Sequence, residues 1–138
     1  MAEGSASAAP ANAQFDDTFR KYSKRFFGPG FDWRLFKAQA MAESDLDPTA
    51  ASSVGARGLM QLMPMTFQEV QSRNPEFHSI DDPVWNIAAG ICYDSRLWSQ
   101  WSELPLDPER IRFVLGSYNA GRGTLLKARS LAEQRKLD

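Results

Sequence analysis

Few residues in this sequence can do covalent chemistry, and their numbers narrow the choice. There is one histidine, His78, and one cysteine, Cys92. One of each cannot make an intramolecular disulfide or a Cys/His zinc site, and a Ser-His or Cys-His nucleophile pair would have to use His78. That residue closes Asn74-Pro75-Glu76-Phe77-His78, a loop-like stretch, so it reads as a surface histidine, and Cys92 reads as a small buried hydrophobe. The carboxylates remain. Glu43 stands apart because it ends a segment, Asp32 to Glu43, that contains neither Pro nor Gly. Trp33, Phe36, Ala40 and Glu43 fall within about 80° of one another around a helix axis, which puts the acid on an apolar face.

An acid in that setting has a chemical use. A free Glu, with a pKa of about 4.3, is too acidic to donate a proton near neutral pH. Desolvation among Trp33, Phe36 and Ala40 would raise it, as burial does for other catalytic glutamates. The bland alternative is a solvated glutamate near a helix end, where its charge opposes the helix dipole; composition and periodicity leave both readings open. Asp45 and Asp47 follow closely and could supply a second carboxylate, but Asp47-Pro48 reads as turn chemistry and Asp45 as solvated.

The elements that must position Glu43 are helical. Phe15, Phe19, Tyr22 and Phe26 mark one face of a helix over Phe15 to Phe27, stopped by Gly28-Pro29-Gly30. Asp32 is a plausible cap for the central helix, where only Arg34, Lys37 and Gln39 interrupt a mostly apolar cylinder, the pattern of a helix buried in a domain. Ser44 to Arg57 is a loop with room for a short irregular hairpin, and Gly58 to Leu62 is a compact apolar turn. Pro64 opens a helix to about Arg73. Asp82-Pro83 opens a long helix through Trp98, in which Gly90 marks a close helix contact, since Gly inside a helix otherwise costs about 1 kcal/mol. Asp107-Pro108 opens another, ended by Gly121-Arg122-Gly123, and a last short helix runs from Thr124 toward Gln134. The expected fold is mainly α: a single domain over residues 15–138, about six helices and at most a small irregular β-hairpin.

Composition excludes several classes. A chain of 138 residues with 43% hydrophobic and 12% aromatic content can bury a core. A net charge of −1 argues against nucleic acid as partner, because that binding needs many cations on phosphates. There is no run of about 18 apolar residues for a transmembrane helix. Residues Met1 to Gln14 lack a basic n-region and an aliphatic h-region, so they are expected to form a flexible arm rather than an intact signal peptide.

Three blocks carry a resemblance. Glu43-Ser44, with Asp47-Pro48, Ser52 and Gly55-Ala56 behind it, is followed by Gly58-Leu59-Met60-Gln61-Leu62-Met63-Pro64. Asn86, Ala89-Gly90 and Tyr93 come next, and then Ser117-Tyr118-Asn119-Ala120-Gly121. Over roughly Phe31 to Arg122 the sequence resembles the catalytic domain of the soluble lytic transglycosylases, departing from the usual pattern at Ser117, where Ala is common, and at Cys92 before Tyr93. The resemblance implies a lysozyme-like fold and cleavage of the β-1,4 bond between N-acetylmuramic acid and N-acetylglucosamine in peptidoglycan, with no cofactor and no metal. It implies that Glu43 acts alone, first as acid and then as base, because the family has no second catalytic carboxylate. Ser52 and Gln61 would meet the substrate's acetamido groups, Met60 would be cleft wall and Met63 core, Tyr118 would place its hydroxyl near Glu43, Asn119 would support that helix end, and Ser44 would be a helix-end hydrogen bonder. The partner would be peptidoglycan glycan strands, met in the periplasm or cell wall by an exported or phage-delivered protein. The alternatives are a muramidase of similar fold, which uses water, and a peptidoglycan-binding module without catalysis.

Overall fold

Helix starts and stops fall where Pro, Gly and Asp put them. The computed structural model describes residues 11–102 and 108–120. Within that range one turn of 3-10 helix at Ala11–Ala13 precedes five α-helices: α1 (Asp16–Phe27), α2 (Arg34–Ser44), α3 (Pro64–Arg73), α4 (Pro83–Gln100) and α5 (Pro108–Ala120). No strand occurs among the described residues; the hairpin reduces to isolated bridges, Ala51 with Arg57 and Arg57 with Leu62. The expected helix from Thr124 lies outside the described residues, as does the arm up to Pro10.

The end signals work as local chemistry. Gly28 takes φ of 92° and its N–H donates to the Lys24 carbonyl, closing α1. Pro64 occupies the first turn of α3, where its missing N–H costs nothing. Asp82 caps α4: its Oδ1 accepts from the Val84 N–H at 2.9 Å and its carbonyl from the Asn86 N–H at 2.8 Å. Asp32 does the same ahead of α2, accepting from the Arg34 N–H at 3.0 Å, although the helix begins two residues later than expected.

The chain divides into two compact units, residues 1–92 and 93–138, with the boundary inside α4. In the first, α1 and α2 run antiparallel. The Arg20 guanidinium sits 4.5 Å from the Trp33 ring centre, and one turn further along Lys37 Nζ lies 2.9 Å from Asp16 Oδ1, both side chains largely buried. Phe19, Phe36, Leu59, Leu62, Phe67, Val70, Phe77, Ile87 and Ile91 form the core. Phe77 stacks on Trp85 at 5.4 Å and meets Tyr22 edge-on at 6.3 Å.

The central helix departs from expectation. α2 buries only Phe36, Gln39 and Ala40, while Ala38, Met41 and Ala42 face outward. It is a one-faced helix rather than a buried cylinder. Alanine carries so little apolar area that leaving two exposed forfeits little burial energy, whereas Phe36 cannot be spared.

The second unit is organised around Trp101. With Leu97 and Val114 it forms a buried cluster, onto which Tyr93, Trp98 and Tyr118 pack. A buried indole N–H needs an acceptor, and here Trp101 Nε1 donates to Ser117 Oγ at 2.8 Å. Ser117 is itself completely buried, so the serine that stands where Ala is common in the resembled pattern satisfies the tryptophan sixteen residues earlier. Arg110 donates to the Trp98 carbonyl from Nη2 at 2.6 Å and covers its ring at 4.3 Å. Replacing Ser117→Ala should leave that indole unpaired and lower stability by about 1–3 kcal/mol; urea denaturation measures it, and an unchanged midpoint would deny the bond its role.

Candidate active site

Glu43 occupies the last full turn of α2 and is half-buried. What fixes it is the next residue. Ser44 Oγ donates toward the Ala40 carbonyl at 3.1 Å and the Leu59 carbonyl at 2.8 Å, tying the helix end to the Gly58–Leu62 turn fifteen residues on. Ser44 thus holds a helix end. The chain then leaves α2 through two successive left-handed residues, Asp45 at φ 54° and Leu46 at φ 60°, conformations that L side chains rarely adopt. Asp47 steadies the exit as an Asx turn, accepting from the Thr49 N–H at 2.9 Å and Oγ1 at 2.7 Å. Those bonds hold its carboxyl below the ordinary aspartate range, so Asp47 is turn chemistry.

The turn beyond is built from backbone bonds and two side chains. The Gly58 N–H donates to Ala50 at 2.8 Å, and Arg57 and Leu62 exchange N–H bonds at 2.9 and 3.1 Å. Ser52 Oγ accepts from the Ala56 N–H at 3.0 Å, closing the small loop that carries Gly55. Gln61, half-buried at φ 49°, turns its amide inward: Nε2 donates to Gly58 at 2.9 Å and Ala50 at 3.2 Å. The two bonds hold a backbone angle that the residue would otherwise avoid, and they engage the amide nitrogen.

The two methionines exchange places relative to expectation. Met60 is completely buried, while Met63 is 42% exposed. Met60 is core because Gly90 of α4 leaves a notch for it: a Cβ at Gly90 would stand 2.7 Å from Met60 Cβ and Cγ. Gly90 does mark a close contact, though with the turn rather than with another helix. Met63, at the cap of α3, is the exposed one of the two.

Asn86 is the residue that sequence reasoning undervalued. It is buried on α4 and makes three bonds: Oδ1 accepts from the Met60 N–H at 2.8 Å, and Nδ2 donates to the Arg57 and Ile80 carbonyls, each at 3.0 Å. Gly58, at φ 80°, lies so close that an added Cβ would stand 2.6 Å from Asn86 Cγ. The signal for it is an amide immediately ahead of the apolar run Ile87 to Cys92.

Residues 18–138 match the Transglycosylase SLT domain. The chain belongs to that family. It is 38% identical over 107 residues to membrane-bound lytic murein transglycosylase F of Maricaulis maris, a match covering 75% of this chain and 22% of that protein. It is 35% identical over 125 residues to the protein of the same name from Hahella chejuensis, covering 91% and 23%. The chain therefore spans less than a quarter of the curated relatives it matches. Among solved structures it is similar to an inactive glutamate-to-glutamine mutant of the lytic transglycosylase Slt from Pseudomonas aeruginosa, with a TM-score of 0.66 and 29% identity over 80% of this chain and 17% of that one. The fold is thus the lysozyme-like, mainly helical one.

The remaining candidates of this SLT domain fall as follows. Tyr118 lies in the second unit, its ring 5.4 Å from Tyr93; the side chain of Asn119 lies outside the described residues. His78 is exposed, edge-on to Trp85 at 5.8 Å, and Cys92 is buried, its sulfur accepting from Asn74 Nδ2 at 3.7 Å. Among the described residues no helix is long and apolar enough to cross a membrane. The described residues begin inside the expected arm, where Asn12 and Gln14 border a cavity of about 370 Å³ with Met41, Asp45 and Leu46. Met41 is about 160° around α2 from Glu43, so this cavity belongs to the other side of the helix.

Two outcomes follow from this scaffold. Asn86→Ala strands one N–H and two carbonyls at once and should cost about 3 kcal/mol or more, with loss of whatever function the turn supports; a variant of wild-type stability would contradict it. Because the folded Asp47 carboxyl is held low, its contribution is present above the unfolded value and vanishes as pH falls through the folded one. Wild type should therefore exceed Asp47→Asn in stability at pH 6, with the difference starting to shrink below about pH 4 and gone once the pH has passed the lower folded value, in denaturant titrations.

Proposed function

We propose that this SLT domain is a peptidoglycan lytic transglycosylase, cleaving the β-1,4 bond between N-acetylmuramic acid and N-acetylglucosamine without water and leaving 1,6-anhydro ends. The observation that carries the reading is Glu43 at the end of α2, tied through Ser44 to the Gly58–Leu62 turn, in a chain whose relatives are named lytic murein transglycosylases. The substrate is the glycan strand of the wall, met in the periplasm or cell wall.

In this mechanism neutral Glu43 gives its proton to the bridging oxygen as the C1–O bond breaks, and the N-acetylglucosamine unit leaves with that proton. The positive charge at C1 is met by the substrate's own N-acetyl oxygen, which takes the place of a second carboxylate. Glu43, now ionised, removes the C6 hydroxyl proton while that oxygen bonds to C1. The acid is restored and no water is consumed. Ser52 uses its oxygen as acceptor within the loop, so its proton serves a substrate carbonyl; Gln61 Oε1 accepts an acetamido N–H; exposed Met63 offers an apolar contact. Met60 contributes packing only.

Glu43→Gln should lower turnover of purified murein by at least about 10³-fold while binding to sacculi persists; lysis at a comparable rate would remove Glu43 from its role. The starting state needs a protonated carboxyl, so the rate should fall as pH rises, giving an optimum on the mildly acidic side of neutrality. A profile governed by no group above the free-glutamate range would contradict the acid assignment.

A further inference from the structure

Away from Glu43, the other end of the α1–α2 pair carries a second cavity, of about 230 Å³, lined by Arg20, Ser23 and Lys24 of α1, by Gly28, Pro29 and Phe31 of the connection, and by Trp33. Its most informative residue is Ser23. The side chain is 1% exposed, and its Oγ is buried with no hydrogen-bond partner. A helical serine ordinarily spends its proton on the carbonyl one turn back, and leaving a hydroxyl unpaired in the interior is costly. Such an orphan beside a cavity calls for a partner, which a ligand atom or a water can supply.

The lining says what that ligand is. Lys24 and Arg20, one turn apart on α1, bring two cations to the rim. Among the described residues the Arg20 guanidinium lies over the Trp33 ring and pairs with Asp17 in an exposed bridge at 2.8 Å whose carboxylate side chain is 99% accessible, and such pairs are weak. No carboxylate and no side-chain amide lines the cavity, which disfavours a sugar ring, usually recognised through such groups. The remaining wall is aromatic, Phe31 and Trp33. Cationic rim, apolar wall and hydroxyl floor suit a carboxylate attached to a small apolar group. The volume falls below the roughly 300–1,000 Å³ of sites for larger ligands, so it admits one or two amino-acid residues.

We propose that this cavity binds the terminal carboxylate of a peptide stem of peptidoglycan, which rests on the substrate class proposed above. Lys24 and Arg20 hold the carboxylate, Ser23 donates to it or to the adjoining carbonyl, and the terminal methyl group rests against Trp33. Trp33, at the cap position of α2, and Glu43 are ten residues apart, about 15 Å at the helical rise, and an extended stem of four to five residues spans about 13–18 Å. A stem on the bound strand is therefore of the right length scale to reach between the two.

The test is titration of the intact chain, followed by tryptophan fluorescence and calorimetry, with a synthetic stem tetrapeptide ending in D-alanine, the same peptide as its C-terminal amide, inorganic phosphate, and a peptide-free glycan strand. The free-acid peptide should bind, and the amide should bind about tenfold more weakly, the loss of one charge-assisted contact. Lys24→Ala and Ser23→Ala should each weaken the free acid by about fivefold to tenfold. Ser23→Ala separates a site from a packing defect: an orphan with no ligand would, on removal, raise thermal stability and leave peptide binding unchanged. Equal binding of acid and amide, no binding of either, tighter binding of phosphate than of peptide, or variants that change only stability would each overturn the proposal. Failure of the enzyme to release anhydro products from peptide-free strands would instead count against the proposed reaction, and Lys24→Ala should leave that activity unchanged.

Discussion

The geometry around Glu43 depends on one buried amide. Asn86 joins α4 to both sides of the Arg57–Met60 segment through three hydrogen bonds of 2.8 to 3.0 Å, and its fit requires two glycines. Gly58 is glycine because any side chain would occupy the amide's position, and Gly90 because Met60 fills the space above it. Buried polar groups are expensive unless fully paired, and this one is paired at both Oδ1 and Nδ2. The turn so held presents the Leu59 carbonyl to Ser44, and Ser44 fixes the end of the helix carrying the acid. The chain of constraint therefore runs from α4, through the turn, to Glu43.

Strain gathers at the same place. Among the described residues the non-glycine positions with positive φ are Asp45, Leu46 and Gln61, two just beyond Glu43 and one in the turn that holds it. Such conformations cost of order 1–3 kcal/mol each and persist only where surrounding bonds over-determine them. For Gln61 the bonds are its own, to Gly58 and Ala50. A side chain expected from the resemblance to meet a ligand is thus partly a structural strut.

Helix boundaries were legible because they are written in local chemistry: Pro64, Pro83, Gly28 and the Asp32 and Asp82 caps act within a few residues. The acid was legible as an oddity, a carboxylate on an apolar face, and the three motif blocks supplied its context. What periodicity could not resolve lies where there is no period. In the irregular stretch from Ser44 to Met63 neither a 3.6-residue nor a two-residue repeat assigns sides, so Met60 and Met63 were transposed, and the inward turn of the Gln61 amide was invisible. The outer face of α2 misled for another reason: Ala38 and Ala42 count as apolar by type yet bury too little area to demand a partner. Ser117 was recognised as a departure from the family pattern, but its cause, the Trp101 indole, sits sixteen residues away and only packing brings them together.

The central claim is that a lone glutamate closes an intramolecular ring without water taking part. It is tested most directly by digesting murein in oxygen-18 water and weighing the muropeptides. The account predicts muramic acid ends that carry no heavy oxygen and lack the mass of one water relative to reducing ends. Products bearing a single oxygen-18 at C1 would show that water attacks there, and would contradict it.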